Sequence, residues 1–252
     1  MAQLSVNVNK VATVRNSRGG SMPSVLQAAR VCLDAGAAGI TVHPRADARH
    51  ITAADVRDLA GLVAERAAMR TPGQAAVELN IEGDPRPDWL ALVHEVRPRQ
   101  ATLVPVRPHE ITSEAGWRPD TDQGALAATI RELQARGIRV SVFVDPVAES
   151  IEWAKRVGAD RVELYTEPYS REFERGVGPA RESFARYAVA AKLAHGLGLG
   201  INAGHDLDLD NLLLFRALPH LDEVSIGHAL VSRALFVGLD TVVREYLRVL
   251  HG

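Results

Sequence analysis

Eight short β-rich segments alternate with longer amphipathic segments along this chain of 252 residues. Between the β-rich segments, apolar residues recur at helical spacing, as at Val56, Leu59 and Val63. Repeated strand–helix units predict a parallel β-sheet covered by helices. We place the strands at about residues 4 to 9, 39 to 43, 75 to 80, 101 to 106, 138 to 145, 161 to 166, 200 to 204 and 223 to 227.

Such units can form either a closed (β/α)8 barrel or an open doubly wound sheet. A length of about 250 residues is usual for one barrel, and the glycine-rich turn of dinucleotide-binding open sheets does not follow the first strand. The similar segments DAGAAGITV at 34–42 and RVGADRVEL at 156–164 fit repeated half-barrels. We therefore predict an α/β fold: a single (β/α)8 barrel over residues 1–252, with extra short helices in the strand-to-helix loops.

Charge and cysteine content narrow the possible partners. Lys and Arg number 29 and Asp and Glu number 31, so no excess of either sign favours a nucleic-acid or anionic-membrane partner. The single cysteine, Cys32, excludes an intramolecular disulfide and a cysteine-based zinc site. The chain shows neither a signal peptide nor an apolar run of membrane-spanning length. We expect a cytoplasmic protein that acts on small molecules.

The longest connections follow strands rather than helices. They cover about residues 10–22, 106–121 and 166–182 and are rich in Arg, Glu, Thr, Gly and Pro. In (β/α)8 barrels the loops after the strands carry the chemistry. The sequence therefore predicts a site at the carboxyl ends of the strands.

Polar residues alternate with apolar ones along several predicted strands. Because the apolar faces must meet the helices, the polar faces should point into the barrel. The inward residues nearest the predicted site are Asn7, Asn9, His43, Glu78 and Glu163. Burying them is costly unless they bond to one another, to water or to a ligand. A self-contained polar network and a functional site both satisfy this condition, and the clustering of five such residues favours the site.

Six segments resemble those of the pyridoxine 5'-phosphate synthase family. NVNKVATVRNSRG at 7–19 is similar to the family's first strand and loop, and GITVHPRADARHIT at 39–52 is similar to its second-strand signature. The shorter matches are VELN at 77–80, EITSEAG at 110–116, NAGH at 202–205 and SIGHA at 225–229. Together they span nearly the whole chain in the family's order, so the set is far more specific than any one motif.

The resemblance implies an enzyme that joins 3-amino-2-oxopropyl phosphate to 1-deoxy-D-xylulose 5-phosphate. The products would be pyridoxine 5'-phosphate, inorganic phosphate and water. The resemblance implies neither a cofactor nor a metal, and it implies a homo-octamer. Ring closure moves protons repeatedly at carbon and oxygen, so a site with several acids and bases is expected.

By position, the resemblance also implies roles for individual residues. His43 and Glu78 would be general bases, His205 a proton donor, and Glu163 a group that stabilises charge in the transition state. Contacts with the deoxyxylulose phosphate would come from Asn9, Lys10, Arg45, His50 and Thr112. Contacts with the aminoketone phosphate would come from Asn7, Arg18, Gly227 and His228.

The chain departs from the family's pattern in three segments. Asn9 and Lys10 stand where many members have Asp and His, and Tyr165 stands where some have His. Asp206 replaces a common Gly after His205; its backbone N–H could still contact substrate, but its carboxylate would have to turn away from a phosphate. These departures concern binding rather than the proposed acid and bases.

Three other functions compete with this interpretation. An aldolase-like enzyme could form a Schiff base on Lys10. A metal-dependent hydrolase could use His43, His50, His205 and Glu78, although the first strand lacks the His-x-His pair of many metal-binding barrels. A barrel without catalytic activity would bind phosphate esters and not turn them over.

Overall fold

The computed structural model describes residues 1–71, 76–105 and 115–252. Within these residues the strands are β1 Gln3–Asn7, β2 Gly39–Val42, β3 Glu78–Gly83, β4 Gln100–Leu103, β5 Arg139–Val144, β6 Arg161–Leu164, β7 Gly200–Ala203 and β8 Leu221–Ile226. The helices are α1 Asn9–Asn16, α2 Val25–Asp34, α3 Ala53–Ala68, α4 Pro87–Val96, α5 Gln123–Gln134, α6 Ala148–Val157, α7 Glu167–Glu174, α8 Val177–Gly196, α9 Leu209–Phe215, α10 His228–Val237 and α11 Leu239–His251.

The strands form one closed parallel barrel in chain order. Each strand pairs with the next, and β8 pairs with β1, where Leu4 lies opposite Val224 and Val6 opposite Ile226. The predicted barrel is therefore confirmed and the open sheet is excluded. All eight strand carboxyl ends consequently meet at one rim, where the site was predicted.

The hydrophobic core lies between the barrel and its helices. Outward residues such as Val140, Val142 and Val144 of β5 are fully buried, as are Val56 and Leu59 on the inner face of α3. Alternation in the strands and 3.6-residue spacing in the helices thus supply the two faces that pack together. No helix in the described ranges is both long and apolar enough to cross a membrane.

Three short helices interrupt the strand-to-helix connections at the carboxyl rim. They are α1 after β1, α7 after β6 and α10 after β8, and they confirm the predicted extra helices. Part of the second predicted long loop, residues 106–114, lies outside the described residues.

Among the strand boundaries that differ from the prediction, two affect predicted site residues. The third strand runs from Glu78 to Gly83 instead of 75 to 80, and the first ends at Asn7, so that Asn9 begins α1. The inward face of β3 was predicted correctly, because a displacement in the boundary does not change the alternation. The displacement nevertheless moves Glu78 from the carboxyl end of β3 to its amino end.

Candidate active site

A cavity of about 830 Å³ opens at the carboxyl rim of the barrel. It is bordered by the ends of several strands and by the short helices α1, α7 and α10. Among the residues that line it are eleven predicted from the sequence: Asn7, Asn9, Lys10, His43, Arg45, His50, Glu163, His205, Asp206, Gly227 and His228. Residues far apart in the chain therefore converge on one volume.

Two of the predicted site residues that the structure describes, Glu78 and Arg18, do not line this cavity. Glu78 lies at the opposite end of the barrel, where it pairs with Arg139 and lies 3.6 Å from the Nε of Arg99. The prediction for Glu78 is wrong because it rested on the displaced strand boundary. Arg18 is exposed in the turn after α1 and does not line the cavity, and Thr112 lies outside the described residues.

Glu82 is the carboxylate that β3 delivers to the cavity, and sequence reasoning missed it. Glu78, Asn80 and Glu82 point to the same inward face of β3, because side chains on a strand alternate with a period of two residues. Glu82 is the one nearest the carboxyl end. Asn7 Nδ2 donates to its Oε2 at 3.4 Å, and His43 Nδ1 lies 3.8 Å from the same oxygen. The continuing alternation Leu79, Ile81 was a signal that the strand extends beyond residue 80.

Hydroxyl and amide side chains fill the barrel interior beneath the cavity. Ser5 and Thr41 share a hydrogen bond of 2.7 Å, and the Thr102 hydroxyl donates to Asn80 Oδ1 at 3.0 Å. These bonds satisfy part of the middle layer, although Ser141 Oγ and Asn202 Nδ2 are buried there without a hydrogen-bond partner among the described residues. In the cavity layer, His43 Nε2 and Glu163 Oε2 are likewise buried with no hydrogen-bond partner within the described residues.

Burial and neighbouring carboxyl groups raise the pKa of three glutamates inside the barrel. Burial and the charges of Glu163 and Glu223 raise the pKa of Glu82 well above its ordinary value. Burial and Glu223 raise the pKa of Glu163 to about 8. Burial also raises the pKa of Glu223 to about 7, although Arg161 opposes the rise. Near neutral pH, carboxyl groups of this set retain protons and can donate as well as accept them.

Glu163 gives the folded protein a stability that depends on pH. Its pKa of about 8 lies above the ordinary 4.5, so the folded chain holds the proton more tightly and loses stability as pH rises between these values. Glu163→Gln should therefore be more stable than the wild type by roughly a few kcal/mol at about pH 9, and nearly equal to it at about pH 4.5. Urea unfolding at both pH values would measure this, and equal differences at both would contradict it.

The two buried histidines at the β2 rim are held neutral. Burial and the charge of Arg45 lower the pKa of His43 to about 3. Burial, Arg45 and Lys10 lower the pKa of His50 to about 4. A neutral imidazole can accept a proton, so His43 is suited to act as a base next to Glu82.

Short polar contacts position the rim of β1 and β2. The His43 N–H donates to Asn9 Oδ1, and the Asn9 N–H donates to Asn7 Oδ1, both at 3.0 Å. Asn9 thus connects the start of α1 to the end of β2. Its role in the structure is to order the backbone that carries His43.

The His50 backbone is fixed by α1. Asn16 Nδ2 donates to the His50 carbonyl at 2.8 Å, and Arg15 donates to it at 3.3 Å while pairing with Asp55. Asp55 also completes the capping box of Thr52 at the start of α3. The second-strand signature therefore forms a braced loop that holds the His50 side chain at the cavity.

The amino end of α10 forms an anion-binding corner. A Cβ at Gly227 would lie 3.1 Å from the Asn7 carbonyl oxygen, and one at Gly204 would lie 2.0 Å from the Ser225 carbonyl oxygen. Glycine therefore permits the close approach of these two rim loops. The free N–H groups and the positive end of the α10 dipole favour an anion at Gly227 and His228.

His205 lies across the cavity, after β7. Its Nδ1 is 2.6 Å from Asp206 Oδ2, and its ring meets those of Tyr165 at 5.6 Å and Phe143 at 6.4 Å. Thr166 donates its hydroxyl to the His205 carbonyl. The imidazole is thus positioned by contacts from three strand ends.

These features define a class of protein: a (β/α)8-barrel enzyme that combines acid–base groups with cationic and helix-terminal anion sites. Proton-transfer groups and anion-binding groups share one cavity at the strand carboxyl ends, where barrel enzymes place their chemistry. Among the described residues, no group of three or more His, Cys, Asp or Glu side chains is arranged to hold a metal ion.

The chain belongs to the family described as "Pyridoxal phosphate biosynthesis protein PdxJ", whose model matches residues 4–252. It is 50% identical over 251 residues to the pyridoxine 5'-phosphate synthase of Christiangramia forsetii, covering 99% of this chain and 100% of that protein. It is 51% identical over 247 residues to the enzyme of the same name from Bacteroides fragilis, covering 98% of each. The resemblance seen in the sequence is confirmed.

Solved structures of lower identity share the fold. Thiamine phosphate pyrophosphorylase from Pyrococcus furiosus has a TM-score of 0.61 at 12% identity, covering 99% of this chain and 95% of that one. N-(5'-phosphoribosyl)anthranilate isomerase from Pyrococcus furiosus has a TM-score of 0.58 at 12% identity, covering 100% and 99%. At such identities the likeness concerns the barrel alone.

Proposed function

We propose that this protein is a pyridoxine 5'-phosphate synthase that condenses 3-amino-2-oxopropyl phosphate with 1-deoxy-D-xylulose 5-phosphate. The products are pyridoxine 5'-phosphate, inorganic phosphate and water. The observation that carries the proposal is the convergence of His43, Glu82, Glu163 and His205 on one cavity with anion-binding groups at its edges. Relatives about half identical over their full length carry the corresponding name.

We assign each acid–base group a separate role according to its position in the cavity. His43, neutral and 3.8 Å from Glu82, is a base on the β2–β3 side of the cavity. Glu82 takes the second base role that the sequence resemblance gave to Glu78. Glu163, which retains its proton near neutral pH, donates a hydrogen bond that stabilises charge in the transition state, and His205 donates the proton that the departing oxygen needs.

Two phosphate groups are held at different parts of the rim. Gly227, His228 and Asn7 bind the aminoketone phosphate at the amino end of α10. Arg45, His50 and Lys10 bind the deoxyxylulose phosphate, because they supply cationic and hydrogen-bonding side chains on the β1–β2 side. The proposed contacts of Arg18 and Thr112 rest on the sequence resemblance alone.

We also propose that the protein is a cytoplasmic homo-octamer. Leu235 and Phe236, near the end of α10, are 73% and 88% exposed, which is the kind of apolar surface that a subunit contact covers. Light scattering of the purified protein tests the assembly. A monomer at assay concentration would contradict it.

The function is tested by incubating the purified protein with both substrates and measuring pyridoxine 5'-phosphate and inorganic phosphate together. We expect equimolar release of the ring product and phosphate, and neither when one substrate is omitted. Binding of both substrates without product would instead support a non-catalytic ligand-binding barrel. Borohydride trapping of a stable substrate adduct on Lys10 would support the aldolase-like alternative.

A further inference from the structure

We propose that Asp206 is a positioning residue that holds His205 as the Nδ1–H tautomer, so that His205 exchanges its catalytic proton at Nε2. The inference deepens the proposed function and rests on it for the identity of the reaction. The geometry that motivates it is independent of the substrate. Asp206 Oδ2 lies 2.6 Å from His205 Nδ1, within the range of a strong charge-assisted hydrogen bond.

The backbone at Asp206 adopts a conformation that most side chains avoid. Its φ is +64°, in the left-handed region, where Asp and Asn are tolerated better than other residues with a Cβ. The Asp206 carbonyl accepts a hydrogen bond of 3.0 Å from Asn211 Nδ2, and Asn211 also forms the capping box of α9 with Asp208. The loop is therefore braced in the conformation that turns the carboxylate towards His205.

The carboxylate is the acceptor in this contact. Burial opposes its ionisation, but the hydrogen bond with His205 and the charges of His205, His228 and Lys10 outweigh burial and lower the pKa of Asp206. An ionised carboxylate has no proton to donate. The hydrogen atom between Asp206 and His205 must therefore belong to Nδ1.

Other contacts within the described ranges hold the His205 ring and its backbone. The rings of Tyr165 and Phe143 lie beside the His205 ring, and the Thr166 hydroxyl donates to the His205 carbonyl. A second cavity of about 620 Å³ borders both His205 and Asp206. Its other charged residues are Asp145 after β5, and Glu167 and Arg171 on α7.

The consequence for the reaction is a defined route for one proton. The protonated imidazole gives its Nε2 proton to a departing substrate hydroxyl as the carbon–oxygen bond breaks, and the electron pair of that bond leaves with the oxygen as water. A base of the cavity takes a proton from the neighbouring substrate atom, whose electron pair forms the new double bond to the carbon. His205 becomes neutral and keeps its Nδ1 proton on Asp206. The carboxylate stays ionised throughout and stabilises the charged form of the ring.

The tautomer can be measured by two-bond ¹H–¹⁵N correlation spectra of protein labelled with ¹⁵N-histidine, at a pH where the ring is neutral. The His205 signals are assigned by their loss in His205→Gln. We expect a protonated Nδ1 and an unprotonated Nε2 in the wild type. Asp206→Asn keeps the size and the left-handed preference, but its amide can donate to Nδ1, so we expect the Nε2–H tautomer.

Two further variants complete the design. Asp206→Gly relieves the backbone at φ +64° and removes the carboxylate, so it should also favour Nε2–H while folding at least as well. Asp210→Asn is the matched control, because Asp210 is an exposed acid in the first turn of α9 that does not line the cavity. It should leave the tautomer unchanged. A wild-type Nε2–H tautomer, or Nδ1–H persisting in both Asp206 variants, would overturn the inference.

Kinetics separate this inference from the proposed function. Both Asp206 variants should lower kcat by roughly 10-fold or more and change the KM of either substrate much less, because a proton transfer is impaired rather than binding. A kcat loss without a change of tautomer would overturn the positioning role. An inactive wild type with the expected tautomers would instead overturn the proposed function and leave the His205–Asp206 contact intact.

Discussion

Glu82→Gln should lower turnover roughly 100-fold or more, whereas Glu78→Gln should leave it within about two-fold of wild type. Glu82 faces the cavity beside Asn7 and His43. Glu78 lies on the same face of β3, at the opposite end of the barrel. Glutamine has nearly the same shape as glutamate, so the comparison isolates the charge and the proton. Steady-state kinetics with both substrates, under identical conditions, would measure the effect.

Glu78→Gln is the matched control for this experiment, and we expect it to affect stability rather than turnover. The variant weakens the ion pair with Arg139 and the interaction with Arg99. It should therefore lower the free energy of unfolding by about 1–2 kcal/mol. Loss of turnover in Glu78→Gln with full turnover in Glu82→Gln would show that the base assignment is wrong.

His43→Asn should also lower turnover roughly 100-fold. The substitution removes a neutral imidazole whose Nε2 is buried without a hydrogen-bond partner among the described residues. Asparagine retains polarity, so we expect the protein to fold and to bind both substrates with small changes in KM. Single-turnover measurements would separate the chemical step from binding and product release.

The double variant His43→Asn/Glu82→Gln tests whether the two residues act on the same proton path. His43 Nδ1 and Glu82 Oε2 are 3.8 Å apart, so their effects should be strongly non-additive. The double variant should lose little more than the more impaired single variant. If the double variant instead loses turnover by the product of the two single-variant factors, the two residues act in separate steps.

The barrel could be predicted from the sequence because the strand–helix unit repeats eight times. Apolar alternation in the strands, helical spacing between them and a length of 252 residues each indicated the same fold. Strand boundaries carry much less information, since the alternation does not mark where a strand starts. The third strand was placed three residues early for this reason.

That small displacement was enough to select the wrong carboxylate. Glu78 and Glu82 have the same parity on β3 and face the same interior, so the pattern alone could not separate them. The end of the strand decides between them, and Gly83 followed by Asp84 and Pro85 was the available signal. The other strand-borne residues, His43 and Glu163, were predicted at the cavity and lie there.

The contact between His205 and Asp206 was beyond what the sequence could specify. Adjacent residues usually point in different directions, and their approach here depends on the left-handed backbone at Asp206. The Asp206 carboxylate turns towards the His205 imidazole, a partner that the sequence analysis did not identify. The raised pKa values of Glu82 and Glu163 likewise depend on how close these groups and Glu223 lie inside the barrel. No local sequence pattern encodes those distances.

A crystal structure of the protein with pyridoxine 5'-phosphate bound tests most directly whether this cavity performs the condensation. We expect the phosphate at the amino end of α10, beside Gly227 and His228, and the pyridine ring between Glu82 and His205. The product bound outside this cavity, or bound with Glu82 and His43 away from the ring, would contradict the proposed site.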